Sequence, residues 1–440
     1  MSKLPRYESY KDSGVQWLGE IPSHWEVWKI THAMDLIGSG TTPKSDNLEY
    51  YDGDVLWVTT SELRESYIYD TKQKVTDSAI QDYSALKKYP INSIAIAMYG
   101  ATIGRLGILA KEATFNQACC VFSGSKVLNH KFLYYWLWMR RPILISLSNG
   151  GGQPNLSQDD LKKLKLALPP MDEQKIIADF LDKRLAQVDA LIAKQETLLE
   201  KLAEQRVALI SHAVTKGLNP DVEMKESDVE WLGNIPKHWD TKKLKFSVGC
   251  NLKTLTDKTD SDYEILYVDI SNVSLTAGIK NKEELLFENA PSRARRVVKS
   301  GDVLVSTVRT YLKAITYVES AEDNLIASTG FAVLSPLDIL DSKFLGYWIQ
   351  SEGMIGSIVA NSVGVSYPAI NSSVLVSLPI VDIPLEEQKA ISSYLDMEIE
   401  TINRQVKLVN SSIEKLKEYR STLITQVVTG KIDVRNLKVN

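Results

Sequence analysis

One nine-residue phrase occurs twice in this chain. Trp17-Leu18-Gly19-Glu20-Ile21-Pro22-Ser23-His24-Trp25 returns as Trp231-Leu232-Gly233-Asn234-Ile235-Pro236-Lys237-His238-Trp239. Further on, Glu173-Gln174-Lys175 returns as Glu387-Gln388-Lys389, and Leu181-Asp182 as Leu395-Asp396. Taking 17 from 231, or 174 from 388, gives the same offset of 214 residues. A constant offset across separated segments marks a duplicated unit, and it constrains the fold more than any local pattern does. Two similar units can sit about a pseudo-two-fold axis. That geometry suits a ligand with two half-sites, of which DNA is the commonest.

Each unit reads as a mixed part followed by a long helix. Pro169-Pro170 and Pro384 stand where helices begin, and no proline interrupts residues 171–219 or 385 onward. Along the second helix, Leu395, Ile399, Ile402, Val406, Val409, Ile413, Leu416 and Leu423 alternate steps of four and three, apart from the gap at Arg420. Such spacing is a heptad seam. Subtracting 214 gives Leu181, Leu185, Val188, Ile192, Gln195, Leu199, Leu202 and Leu209, with Arg206 matching Arg420. Continued to Ala213 and Val427, the seam spans about 48 Å at ~1.5 Å per residue. Two such seams in one chain predict an antiparallel pair, each helix covering the other. The competing expectation is that each helix packs on its own mixed part.

In the mixed parts, residues 53–59, 93–99 and 121–122 read as strands, as do 263–268, 302–308 and 330–334, being β-branched or aromatic and bounded by turn residues. Asn129 is placed to cap a helix from Lys131 to about Leu147, and Asp341 its counterpart from Lys343 to about Ala360. The fold class is therefore α+β. It comprises two mixed domains, 1–168 and 219–382, with a central helix at 169–218 and a distal helix and C-terminal tail at 383–440, the helices forming a two-helix coiled coil.

The 440 residues carry a net charge of −4, which argues against a nucleic-acid binder acting alone. No apolar run reaches the ~18–20 residues of a membrane span, and no apolar signal core stands at the N-terminus, so a cytoplasmic location is expected. Cys119, Cys120 and Cys250 form no Cys-x-x-Cys, consistent with reduced thiols. No phosphate-binding Gly-x-x-x-x-Gly-Lys-Ser/Thr occurs, no dinucleotide fingerprint, and no Asn- or Asp-Pro-Pro-aromatic tetrapeptide for amino methylation. The five histidines make no metal-ligand spacing. His24 and His238 are expected to bond nearby backbone, and the repeated tryptophan phrase to act as a packing clasp. These absences point to a binder with no catalytic residues, no metal and no cofactor of its own.

Short polar side chains beside cations at strand ends suit phosphate and base-edge contact. Thr41, Thr42 and Lys44 precede one strand, and Ser61 and Arg64 follow it. Tyr99, Thr102 and Arg105 fall where the second unit has Arg309, Tyr311 and Lys313, each set joining an aromatic ring to a cation after a strand. Arg309 is the residue expected to fork onto guanine, with Arg105 or Lys313 on phosphate. Gln153 and Asn155, in the glycine-rich stretch after residue 149, could meet adenine. Arg293, Arg295, Arg296 and Lys299 form a basic cluster, and Lys242, Lys243 and Lys245 another; such clusters are more often solvated surface than binding patches.

At these residues the chain resembles the specificity subunit of type I restriction-modification systems, along nearly its whole length. The likeness rests on the doubled tryptophan phrase and on Gly40-Thr41-Thr42-Pro43 leading to Asp54-Val55-Leu56-Trp57-Val58-Thr59. It rests also on the Pro-Pro-Met-Asp-Glu-Gln helix start and the strand from Gly301 to Arg309. The resemblance implies two target recognition domains that read a split site on double-stranded DNA, and a helical spacer docking two methyltransferase subunits. S-adenosylmethionine would lie in those subunits, and ATP and magnesium in two restriction subunits where a system has them. The second unit lacks the Gly-Thr-Thr-Pro segment and has Tyr267-Val268-Asp269-Ile270-Ser271 there, which implies unlike half-sites. A protein-binding scaffold with two ligand domains on a coiled-coil rod is the alternative reading, and a methyltransferase-nuclease fusion a third.

Overall fold

The computed structural model describes residues 5–146 and 155–437. It falls into two compact units, one made of Met1–Lys194 with Ser412–Asn440 and the other of Gln195–Ser411. Among the described residues, both are built on two larger sheets of related order, with five and three strands in the first unit and four and four in the second. In the first unit, Leu36–Ser39, Cys119–Ser123, Ile94–Ala97 and Leu106–Leu109 lie side by side in antiparallel order, and Ser66–Ile68 adds a parallel edge. In the second, Val248–Cys250, Phe331–Pro336, Val303–Ser306 and Ile315–Tyr317 take that order. The smaller sheet centres on Tyr51–Val58, between parallel Ala113–Phe115 and antiparallel Lys74–Val75. Its counterpart centres on Glu264–Val268, between parallel Leu325–Ser328 and antiparallel Glu283–Leu286.

The central strands are apolar on both faces because both faces are covered. Ile94 and Ile96 join a core with Phe132, Leu133 and Trp136, while Ala95 and Ala97 join another with Leu56, Val58 and Phe115. Val303 and Val305 likewise meet Phe344 and Trp348, while Leu304 faces Val268. Alternation along one strand thus binds a helix layer to one side and the smaller sheet to the other.

His130–Ser146 forms the helix expected after Asn129, whose side chain accepts the N–H of Lys131 at 3.0 Å and of Phe132 at 3.2 Å. Its counterpart is not one helix but two, Ser342–Gln350 and Glu352–Ala360. The break falls at Ser351, whose backbone is extended and whose hydroxyl donates to the Trp348 carbonyl at 2.7 Å. The Glu352 N–H then donates to Ser211 Oγ at 2.9 Å. The second piece lies so close to Trp231 that a Cβ on Gly353 would stand 2.0 Å from the indole.

The long helices are Met171–Lys216 and Leu385–Val428. Gly217 and Gly430, at φ +76° and +72°, end them in the left-handed conformation that glycine takes without penalty. In the first unit, the beginning of one helix shares a core with the end of the other. Leu181 and Leu185 meet Leu423, Ile424 and Val427, and Arg420 Nε donates to Asp189 Oδ1 at 3.1 Å. In the second unit, Ile210, Ala213 and Val214 share a core with Ile391, Leu395 and Ile399, and Arg206 Nη1 donates to Asn403 Oδ1 at 3.1 Å. Start beside end, in both units, is antiparallel pairing. Leu181, Leu185, Val188, Leu202, Leu395, Ile399, Ile402, Val409, Ile413 and Leu423 are buried on this seam, and Ile192, Leu199, Leu209, Val406 and Leu416 half-buried. Among the described residues no helix is long and apolar enough to cross a membrane.

Candidate nucleic-acid interface

The repeated residues act as fasteners. Trp25 is fully buried and its Nε1–H donates to Glu173 Oε1 at 3.0 Å, while His24 Nε2 lies 2.8 Å from Oε2. Trp239 donates to Glu387 Oε1 at 3.1 Å, and His238 Nε2 lies 3.0 Å from Oε2. The imidazoles therefore bond a carboxylate from the first turn of a long helix, not the nearby backbone expected of them. In the first unit Tyr7 adds a third bond, its hydroxyl donating to Glu173 Oε1 at 2.6 Å. Burial, with that bond, pushes the Tyr7 hydroxyl far above the usual tyrosine range.

The next residue straps the mixed part to the helix start. Gln174 accepts the Asn129 N–H at 2.8 Å and donates to the Val127 and Pro169 carbonyls, both at 2.8 Å. Gln388 accepts from Asp341 at 2.8 Å and donates to Ile339 at 3.0 Å and Ile383 at 2.9 Å. About two turns further along the long helix, Lys131 and Tyr135 both donate to Asp182 at 2.5 Å, and Lys343 and Tyr347 to Asp396 at 2.6 Å. Lys431 donates to the carbonyls of Leu18 at 3.3 Å and of Glu20, and Lys216 to those of Leu232 at 3.0 Å and of Asn234. These polar groups bond one another. Among the described residues, no group of three His, Cys, Asp or Glu is placed to hold a metal ion.

The turn that follows the central strand is built alike in both units but furnished differently. Ile94–Ala97 leads to a single helical turn at Gly100–Thr102, and Val303–Ser306 to one at Thr310–Leu312. Tyr99 bridges to Asn155 and Val308 to Ala369, and 155 and 369 again differ by 214. Each turn passes twice through the left-handed region. In the first unit the residues there are Gly100 at φ +78° and Gly104 at +76°; in the second they are Arg309 at +51° and Lys313 at +50°. Glycine enters that region freely, whereas an L side chain costs about 1–2 kcal/mol. The second unit thus holds two long cations where the first manages with glycine.

Arg309 is exposed, lies over the Tyr367 ring at 4.8 Å from its centroid, and has no carboxylate partner among the described residues. Across a cavity of about 590 Å³, Arg293 Nε donates to the Tyr267 hydroxyl at 3.1 Å and its Nη2 to Asp269. Ser328 and Thr329 line the same cavity. In the smaller sheets Val58 pairs with Phe115, as Val268 pairs with Ala327. Thr59, Asn116 and Gln117 therefore take the places of Asp269, Ser328 and Thr329, and none of the three is charged.

Several residues expected at an interface come together at these strand ends. Thr42 Oγ1 donates to Gln117 Oε1 at 2.5 Å, and the Thr41 carbonyl accepts from Trp57 Nε1 at 3.2 Å. Ser61 Oγ lies 2.8 Å from Thr59 Oγ1, and Arg64 Nε donates to the Ser61 carbonyl at 3.2 Å. Tyr99, Thr102 and an exposed Arg105 lie on or beside the first turn, and exposed Tyr311 and Lys313 on the second. Lys44 is exposed and joins Tyr83 through its backbone N–H at 3.1 Å. Asn155 is exposed. Gln153 lies outside the described residues.

The basic cluster is split by the structure. Arg293 lines the cavity, but Arg295 sits at a β-bulge and pairs with Asp257 at 3.3 Å, and Arg296 donates to Thr254 Oγ1 at 3.1 Å. Lys242, from the other cluster, pairs with Asp382 at 2.9 Å. Tyr367 has no place in the sequence reading, and Asp269, expected within the segment that replaces Gly-Thr-Thr-Pro, matches Thr59 instead. A signal for Tyr367 existed: Gln153-Pro154 and Tyr367-Pro368 stand at the 214-residue offset.

The model of the type I restriction modification DNA specificity domain matches residues 22–201 and again 236–415, segments themselves 214 residues apart. The type I restriction enzyme MjaVIII specificity subunit of Methanocaldococcus jannaschii is 24% identical over 423 residues, 95% of either chain. Among solved structures, a chain from work on complex assembly and conformational transition of the type I R-M system aligns with a TM-score of 0.70 at 15% identity, covering 93% of this chain and 98% of that one. The HsdS subunit from Thermoanaerobacter tengcongensis aligns with a TM-score of 0.56 at 16% identity, covering 94% and 98%. At such identities these two likenesses bear on fold. With both copies of the domain matched in sequence, the chain belongs to the type I restriction modification DNA specificity domain family.

Proposed function

We propose that this chain gives a type I restriction-modification complex its DNA sequence specificity, with each unit reading one half of a bipartite, non-palindromic site. The observation that carries this is the pairing of one repeated frame with two unlike turns: shared fasteners beneath, glycine at 100 and 104 but Arg309 and Lys313 above. A palindromic target would call for like turns. The paired helices serve as the spacer and as the dock for two methyltransferase subunits. The chain itself is non-catalytic and works in the cytoplasm. S-adenosylmethionine belongs to the methyltransferase subunits, and ATP and magnesium to two restriction subunits where the system has them. The acidic chain fits this division, because partners would supply much of the phosphate grip.

Co-expression with its methyltransferase is expected to place adenine methylation at one split site, and the chain alone to transfer no methyl group. Methylation at a single undivided motif would overturn the reading. Adding seven residues to both helices lengthens the coil by ~10 Å, about three base pairs at ~3.4 Å each. Methylome sequencing should then show a wider gap between unchanged half-sites, or no activity. Exchange of residues 219–382 for those of a relative tests the scaffold alternative, which requires altered partner binding with unaltered half-sites.

A further inference from the structure

Strain in a folded chain persists where the surroundings impose it, and it gathers at functional sites. The duplication supplies an internal control for such strain. The first unit shows that the turn after the central strand closes with glycine at both left-handed positions, Gly100 and Gly104. A Cβ on Gly100 would meet nothing within 4 Å, so that position is open to a side chain on steric grounds. The second unit has a long cation at both positions and bears the conformational cost twice. Closing the turn does not require Arg309, so its presence asks for another reason.

The surroundings of Arg309 supply one. Its guanidinium rests over the ring of Tyr367, which fixes the plane of the fork without occupying its N–H donors. Among the described residues no carboxylate neutralises it. The carboxylate across the cavity, Asp269, already accepts from Arg293 and from the Ile270 N–H. Tyr367 is 64% exposed, and its neighbours Val363 and Val365 are 81% and 101% exposed, so this rim presents apolar surface to whatever enters. The loop is tied to the turn, because Thr310 Oγ1 lies 2.9 Å from Ser362 Oγ, and Val308 bridges to Ala369. A planar, unpaired guanidinium held at an open rim matches the paired acceptors O6 and N7 on the major-groove edge of guanine.

We infer that the Arg309 turn, backed by Tyr367, is the guanine-reading element of the second unit. Arg309 is the specificity-determining residue, and Tyr367 positions it. The inference rests on the proposed DNA reading and adds to it the base, the residue and the unit. The first unit has glycine at both left-handed points and Thr59, Asn116 and Gln117 at the matching strand ends; its exposed Arg105 follows the turn instead of opening it, so that half-site is read by other chemistry.

The test uses the full chain in complex with its methyltransferase, first to define the split site by methylome sequencing. Duplexes then carry 7-deazaguanine, which lacks the N7 acceptor, at each guanine of either half-site in turn. At one guanine of one half-site, the modified base is expected to weaken binding by roughly tenfold. Arg309→Gly should bind the unmodified duplex about as weakly as the intact protein binds the modified one, with no further loss when both changes are combined. It should also melt no lower than the parent, since it adopts the residue of the sister turn. Arg309→Lys keeps the charge and the strain but not the fork, and should relax the same base pair. Tyr367→Ala should relax that pair partially while leaving the other half-site untouched.

Unchanged methylation by Arg309→Lys and Arg309→Gly would overturn the inference. So would uniform weakening across all sequences with the guanine still preferred, which marks a phosphate contact. A parent complex that methylates no split site defeats the proposed function itself. A parent that does so, with variants indistinguishable from it, defeats only the guanine reading.

Discussion

The two units agree wherever they hold themselves together and part where they face outward. Glu173 and Glu387, Gln174 and Gln388, and Asp182 and Asp396 make the same bonds to the same kinds of partner within a few tenths of an ångström. The turns after the central strands share backbone bridges and left-handed points, yet they exchange glycine for arginine and lysine. A duplicated gene product is free to diverge only where divergence does not unfasten it. What is copied therefore marks the frame, and what is not copied marks the surface on which selection acts separately in each half.

The sharpest way to strain this comparison lies in the clasp, where the two frames differ by one bond. Glu173 is 5% exposed and takes three bonds, one of them from Tyr7; Glu387 takes two and is more open. Position 221, which would match Tyr7, is aspartate. Glu173→Ala leaves buried donors unpaired and should destabilise the first unit by about 3 kcal/mol, and Glu387→Ala the second by about half that. Urea unfolding with hydrogen exchange resolved by unit would check this. Equal losses would mean that Tyr7 contributes nothing.

The braces should respond alike. Asp182→Asn and Asp396→Asn each remove charge-assisted bonds from a lysine and a tyrosine, at about 1–2 kcal/mol apiece. Both are also expected to loosen above about pH 10. The bond to Asp182 raises the Lys131 pKa and that to Asp396 raises Lys343, so their contribution is complete below the unfolded lysine value and fades as pH climbs through the folded one. Burial raises Tyr135 and Tyr347, and ionisation of the unfolded chain then works in the same direction. Alkaline melts of single-brace variants that diverged would break the equivalence.

A smaller effect, of opposite sign in the two turns, sharpens it further. Gly100→Ala should cost about 1 kcal/mol, and Arg309→Gly should gain up to about 1 kcal/mol, read as shifts in Tm. Loss in both would mean that the turns are not equivalent. Smallest of all is a difference in thiol reactivity. Burial pushes the Cys120 thiol up to about 12 on a strand inside the first unit, while Cys250 is half-buried on an edge strand of the second. Alkylation followed by mass spectrometry should modify Cys250 first.

Much of the frame was legible in the sequence because it rests on periodicity and on short-range chemistry. The heptad spacing marked the helices, and Asn129 and Asp341 do cap as their residue types suggest. Other features depend on contacts that no local pattern encodes. The break at Ser351 goes with a bond from the Glu352 N–H to Ser211, 141 residues away, and with the closeness of Trp231. The partner of His24 is 149 residues distant, although Glu173 repeats with the same offset as the histidine it holds. The reading surface was legible only as residue types. Tertiary folding brings Arg309 and Arg293 to one cavity, whereas Arg295 and Arg296, which follow Arg293 in sequence, turn to other partners.

The first unit closes with residues more than 400 positions apart: Lys431 holds the carbonyls of Leu18 and Glu20, and the Asp433 N–H donates to Pro5 at 2.9 Å. The second is a single stretch, residues 195–411. On the ribosome, therefore, the half whose segments emerge earliest must wait longest. The later half can finish folding while its predecessor still lacks the strap that completes it, so an abbreviated transcript would yield one sound half and one left ajar.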